Sequence, residues 1–344
     1  MLDSLHIANF RLFRELKIKR LGMVNLFSGK NGSGKSCLLE AVYIYEGNAD
    51  YQLMLEMATS RNEDQFTILQ NTFLKSRSNT SPLFHFFRDR TPLLTGSTSI
   101  SIGGLSDSNK LEIYLERING EYHFTSKINK KTRRISPAMN HPDTKWPINS
   151  LLYQPPRSLQ FVSSHGLSSD KTKTLWDEVN LTDYEHEVVR ALVIINPRIT
   201  GIALIGATED PNERIPVVRL DGSSERTPLR SLGDGAVRIL HIILAMVNAK
   251  DGVLLLDEAE NGLHWSVQQQ LWKIIFHLSK ALNIQVFATT HSKDCIAGFQ
   301  EAWQENPEEG AFFRLDADPE VGARVTPYSL KTLGNALESQ VEMR

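Results

Sequence analysis

Gly29-Lys30-Asn31-Gly32-Ser33-Gly34-Lys35-Ser36 is the stretch whose reading decides the fold. It fits G-x-x-x-x-G-K-[ST], a phosphate-binding loop, and its flanks supply the context that pattern needs. Met23-Val24-Asn25-Leu26-Phe27-Ser28 reads as a buried strand entering the loop, and Cys37-Leu38-Leu39-Glu40-Ala41-Val42-Tyr43 as a helix leaving it. Gly29, Gly32 and Gly34 reach backbone angles closed to other residues and bring main-chain N–H groups toward phosphate oxygens. A helix starting near Gly34 adds free N–H groups and about half a positive charge at its end. Lys35 can neutralise the β and γ phosphates and the Ser36 hydroxyl can ligate Mg2+. Asn31, Gly32, Ser33, Gly34 and Cys37 complete the expected cradle.

Composition narrows the rest. The 344 residues have room for one large or two ordinary domains. With 41% hydrophobic and 23% charged residues, the chain reads as globular. A net charge of −2 excludes a polycation, so composition gives no vote for nucleic acid. No apolar run reaches the roughly 18 residues of a membrane span; the densest, 239–247, is interrupted by His241. Residues 1–6 do not resemble the opening of a signal peptide, and the two cysteines, Cys37 and Cys295, form no metal spacing. A cytoplasmic location and no membrane partner are expected.

Residues 5–10 and 15–19 alternate like a hairpin, expected at an edge beside the phosphate-loop strand. Residues 46–95 are polar and broken, with helical patches at 65–74 and 83–87 and no heptads that would build a coiled-coil arm. Strands are expected over 97–102, 110–118 and 121–128, with Asn119-Gly120 as a tight hairpin turn, forming an antiparallel sheet over the phosphate-loop side. Lys127, Lys130, Lys131, Arg133 and Arg134 follow as a basic cluster that binds nucleic acid or an acidic partner, or is a solvated loop. A proline-rich connection, 141–156, leads to a strand at 159–162. Helical spacing runs over 172–195 and stops at Pro197; strands at 199–205 and 214–220 flank a Glu-Asp-Pro-Asn turn.

Three further markers lie downstream. Arg230-Ser231-Leu232-Gly233-Asp234-Gly235-Ala236-Val237-Arg238 is a glycine loop opening a helix over 236–248 that is apolar almost all round, hence buried. Val253-Leu254-Leu255-Leu256-Asp257-Glu258 is an apolar strand ending in two acids, at the edge where parallel sheets bind ligands. Asp257 is expected to hold Mg2+ through its water shell and Glu258 to polarise an attacking water. Ala259-Glu260-Asn261-Gly262-Leu263-His264 follows, then an amphipathic helix over 266–282. The third marker is 283–292, a buried strand ending in Thr289-Thr290-His291-Ser292. Strands at 311–315 and 323–328 and a helix over 329–343 close the chain; no chemistry is read from the final residues.

"IANFRLFRELKI … VNLFSGKNGSGKSCLLEAV" resembles the opening of ABC-type ATPases of the SMC, RecF and OLD group. The S-L-G-D-G-x-x-R and D-E-A-E-N-G-L-H forms look closest to OLD-like subunits of the PARIS or Septu type. That resemblance implies an α/β P-loop NTPase: an ABC-type head with a mixed central sheet, an antiparallel β subdomain and a helical signature lobe. The implied divisions are 1–165 with a helical insertion at about 46–95, then 166–250, then 251–344. Implied cofactors are ATP and Mg2+, with Mg2+-dependent ATP hydrolysis. Arg11 would sit near the nucleotide, the alternative being a solvated turn residue. Gln160 or Gln154 would touch Mg2+ and the attacking water, the alternative being that both are surface residues. Ser231, Gly233, Asp234 and Gly235 would close over the γ-phosphate bound by a second copy, the alternative being a helix start capped by Asp234. His291 would contact the γ-phosphate. The implied partners are a second copy or a larger homo-oligomer and a separately encoded effector, a nuclease, in antiphage defence. A RecF-like ATPase that binds DNA in repair is the alternative, and a transporter subunit fits the motifs least.

Overall fold

The alternation near the start of the chain becomes β1 (Leu5–Phe10) and β2 (Phe13–Ile18), antiparallel with Ile7 opposite Leu16. The computed structural model describes residues 1–63, 82–88, 99–106, 110–118, 121–129, 131–135, 157–206 and 213–343. The readings of 65–74, Asn119-Gly120, Lys130, 141–156 with Gln154, and 209–212 lie outside the described residues. β3 (Val24–Ser28) is buried at every position and leads into α1 (Lys35–Glu46) and α2 (Tyr51–Ser60). The patch at 83–87 is a 3-10 turn, Pro82–Phe86.

β4 (Ile100–Gly103), β5 (Leu111–Ile118), β6 (Glu121–Ile128) and β7 (Lys131–Ile135) extend the first hairpin into an antiparallel sheet ordered β2-β1-β4-β5-β6-β7. The expectation that the hairpin flanks β3 is thus corrected. Leu5, Ile7, Leu16 and Ile18 face a core shared with α1, which holds the hairpin in this second sheet.

After β8 (Leu159–Val162), the helical span read over 172–195 is two helices, α3 (Ser169–Val179) and α4 (Glu185–Leu192). They part where Leu181 takes a φ of +62°, which no helix accommodates. β9 (Ile199–Gly206), β10 (Arg214–Leu220) and β11 (Arg226–Pro228) form a small antiparallel sheet. The third strand is too short, and ends in a proline, to be legible in sequence.

Then come α5 (Asp234–Val247), β12 (Val253–Leu256), α6 (Trp265–Ala281), β13 (Gln285–Thr290), α7 (Lys293–Glu305), β14 (Gly310–Asp318), β15 (Gly322–Tyr328) and α8 (Leu330–Glu338). The last helix stops at Glu338, short of the expected 343.

The central sheet is ordered β15-β14-β3-β13-β12-β8, parallel except for β15. Strand alternation divides its side chains between two cores. Val24, Leu26, Leu254, Leu256, Val286 and Ala288 face the core built with α3 to α8. Phe27, Val253, Leu255 and Phe287 face α1 and the antiparallel sheet. Phe27 stacks on Phe313 at 5.1 Å and on Phe287 at 6.4 Å, locking three parallel strands together. The result is the α/β class with a mixed central sheet and an antiparallel second sheet. Among the described residues no helix is long and apolar enough to cross a membrane.

Candidate active site

Parallel pairing of β3 with β13 and of β13 with β12 brings three strand ends to one edge. From the first end, Gly29, Gly32 and Gly34 carry the chain through φ values of +151°, +77° and +101° into α1. Gly29 also has to lack a Cβ, which would collide with the Leu315 carbonyl of β14. Lys35 folds back over the loop, donating from Nζ to the carbonyls of Gly29 at 2.6 Å and Lys30 at 3.0 Å. Burial lowers the pKa of Lys35, opposed by Glu258, Asp257 and Glu260. Ser33 Oγ is buried within the loop and meets no partner. A buried ammonium, an orphaned hydroxyl and a helix N-terminus suit a polyphosphate.

Ser36 Oγ lies 3.1 Å from Asp257 Oδ2, and Thr289 Oγ1 donates to Asp257 Oδ1 at 2.6 Å. A hydroxyl beside a carboxylate is an oxygen donor set that fits a hard cation such as Mg2+. The Thr289 hydroxyl also accepts the backbone N–H of Glu258 at 2.9 Å. Glu258 has a φ of +48°, a conformation uncommon for any residue but glycine and one that costs about 1–3 kcal/mol. This backbone turn carries its carboxylate to 3.6 Å from His291 Nδ1. Glu260, itself buried, holds His291 from the other side: Oε1 accepts the His291 backbone N–H at 2.9 Å and lies 3.3 Å from Nδ1.

Arg238, one turn into α5, fixes the backbone behind the acids. Its Nη1 donates to the Ser163 carbonyl at 2.6 Å, and its Nη2 to those of Asp257 at 2.7 Å and Glu258 at 2.9 Å. Burial lowers its pKa to about 10. On the same helix face, His241 Nδ1 accepts the Leu167 N–H at 3.1 Å, and burial lowers the pKa of this histidine to about 4. The helix behind the glycine loop therefore grips both the acid pair and the turn after β8.

The loop itself stands outward. Ser231, Gly233 and Asp234 are exposed, and Gly235 lies so close to the Gly262 carbonyl that a Cβ would sit 2.9 Å from it. Gly233 rather than Asp234 caps α5; Asp234 is its first residue and lies 3.5 Å from Arg230, which removes the reading of Asp234 as a cap. Among the described residues no hydrogen bond joins 231–235 to 29–36.

Lys35, Ser36, Asp257, Glu258 and His291 are thus brought together, with Asn31 and Gly32 exposed on the loop and Cys37 half-buried behind it. Gln160 is not brought there. It pairs with Leu254 in mid-strand, three residues and about 10 Å before the edge, and its Oε1 is buried without a partner. The expectation of Gln160 as a metal ligand is corrected: Ser163 is the residue beside Asp257.

Arg11 is not a solvated turn residue, since its side chain is 7% exposed. It pairs with Glu40 at 2.5 Å and Glu63 at 2.7 Å, and lies 4.5 Å over the Phe86 ring. Sequence reasoning missed Thr289, Glu260 and the reach of Arg238. The first two stand next to recognised motifs, which is the one signal that marks them.

A family model described as an AAA ATPase domain matches residues 1–178 and 116–296. An "ATP/GTP phosphatase" of Helicobacter pylori is 24% identical over 326 residues, covering 86% of each chain. A solved Smc head bound to the C-winged helix domain of ScpA aligns with a TM-score of 0.56 at 11% identity, over 97% of this chain and 99% of that one. An Smc head with an extended coiled coil, bound to the C-terminal domain of ScpA derived from Pyrococcus furiosus, aligns with a TM-score of 0.52 at 11% identity, over 98% and 99%. At such identity these structures show a shared fold alone. The chain belongs to the AAA ATPase domain family.

Proposed function

We propose that this protein binds ATP with Mg2+ at residues 29–36 and hydrolyses it, and that two copies close around the nucleotide. The observation that carries the reading is the convergence of Lys35, Ser36, Asp257, Glu258 and His291 at one sheet edge. Ser36 and Asp257 would hold Mg2+, which when bound supplies positive charge against the phosphates. Lys35 exchanges backbone carbonyls for phosphate oxygens. Glu258 accepts a proton from the attacking water, and His291, steadied by Glu260, faces the γ-phosphate. Steady-state turnover tests this: ATP hydrolysis that requires Mg2+ and is lost in Lys35→Ala is expected, and turnover unaffected by that change overturns it.

The outward loop at 231–235 supports closure between copies. Its helix N-terminal amides gain most when a phosphate faces them, so ATP would favour the closed pair and hydrolysis would release it. A two-fold axis is the expected symmetry.

The nucleotide state would be read by a separately encoded effector, a nuclease, in antiphage defence. Support comes from the likeness of the 231–238 and 257–264 segments to OLD-like subunits, and from Smc heads, which carry ScpA as a protein partner. Copurification from the native host tests it. Stoichiometric recovery of a nuclease is expected, and recovery of the chain alone contradicts it.

A second reading, direct DNA binding, rests on one observation. Lys127, Lys131, Arg133 and Arg134 are exposed on β6 and the outermost strand β7. DNA affinity that falls with salt and is lost when all four are neutralised would favour it.

A further inference from the structure

Residues 339–343 follow α8, and the last of them meet β3 and β14 of the central sheet. Met343 belongs to no helix or strand, yet it is fully buried in the core that the central sheet shares with α3 to α8. Its carbonyl accepts a 2.7 Å hydrogen bond from Oγ of Ser28, the last residue of β3, which is itself fully buried. The neighbouring Glu342 carbonyl accepts from Arg314 Nη1 at 3.1 Å, and Arg314 is the residue paired with Ser28 across β14 and β3. The Glu342 carboxylate also lies 3.8 Å from Nζ of Lys293, two residues after His291.

Two lines of contact run from this segment to Gly29. One passes through Ser28, to which Gly29 is bonded. The other passes along β14 from Arg314 to Leu315, whose carbonyl abuts Gly29 too closely for any side chain. The Gly29 carbonyl in turn accepts from Lys35 Nζ at 2.6 Å. We propose that residues 341–343 are a strut that positions Gly29, and through it the Lys35 ammonium, so that this short segment sets nucleotide affinity. The inference rests on residues 29–36 being the nucleotide site. Met343 and Ser28 are positioning residues, and neither needs to touch the nucleotide. The burial suits that role: a serine hydroxyl wholly removed from water takes its partner from 315 residues away, so the segment is held rather than draped.

Binding of a fluorescent ATP analogue, measured beside melting temperature, tests the strut. Met343→Ala and Ser28→Ala should weaken binding about 5–10-fold, with turnover at saturating ATP within about twofold. Met343→Leu should restore affinity. Leu333→Ala, in α8 and buried in the same core, should lower the melting temperature without weakening binding. Wild-type affinity in Ser28→Ala, or an equal loss in Leu333→Ala, overturns the strut, and Ser28→Ala alone decides if Met343→Ala does not fold. Unchanged affinity in Lys35→Ala removes the nucleotide site and the strut together. Loss in Lys35→Ala with none in Ser28→Ala removes the strut alone.

Discussion

Ser36 and Asp257 are 221 residues apart in the chain, yet Ser36 Oγ lies 3.1 Å from Asp257 Oδ2. One strand, β13, separates β3 from β12, and parallel pairing makes all three end together. Asp257→Asn keeps the shape and removes the charge. Hydrolysis should fall by at least about 10²-fold, and the Mg2+ concentration for half-maximal rate should rise about tenfold. A Mg2+ titration superimposable on the wild type would take Asp257 out of the metal site.

Lys35→Ala removes the ammonium that the loop carbonyls now hold. Tight nucleotide binding should be lost, a change of at least about 10²-fold in Kd by calorimetry. Nucleotide affinity matching the wild type would contradict the phosphate-loop assignment.

Arg238, itself buried, donates to three backbone carbonyls, and no pattern of residues announces that task. Arg238→Met removes one charged donor from each, although the Ser163 carbonyl keeps the Gly166 N–H and that of Glu258 keeps the Asn261 N–H, and should cost about 2–3 kcal/mol in denaturant unfolding. Turnover should fall too, because Glu258 loses the anchor of its φ of +48°. An unchanged unfolding midpoint would show the guanidinium to be dispensable.

His241 gives a pH signature. Burial holds its pKa near 4, below the ordinary 6.5. Between those values the unfolded chain takes up a proton that the folded one refuses. Stability is therefore complete above about pH 6.5 and declines as pH falls toward 4, by up to about 3 kcal/mol. His241→Asn keeps an acceptor for the Leu167 N–H and should flatten that window. Parallel decline in both proteins would place the sensitivity elsewhere.

The residues that converge at the sheet edge were legible because each belongs to a short pattern: a glycine loop before Lys35-Ser36, an apolar strand before Asp257-Glu258, another before His291. Pairing register has no such signature. Nothing in Leu159-Gln160-Phe161-Val162 tells that Gln160 faces Leu254 while the edge belongs to Ser163. Alternation likewise marked β1 and β2 as strands without saying which sheet they join. The segment at 339–343 keeps helix-compatible composition, and tertiary bonds from Ser28 and Arg314 draw it out of the helix. Side chains that serve backbone groups, such as Thr289 and Arg238, leave no trace in composition.

The central claim, that ATP joins two copies, is tested most directly by the mass of Glu258→Gln in analytical ultracentrifugation with and without Mg2+ and ATP. This substitution should slow hydrolysis by about 10²–10⁴-fold while preserving binding, so the closed state accumulates. The predicted result is a monomer without nucleotide and a doubled mass with it, abolished when Lys35→Ala is added. A mass indifferent to nucleotide would contradict the account.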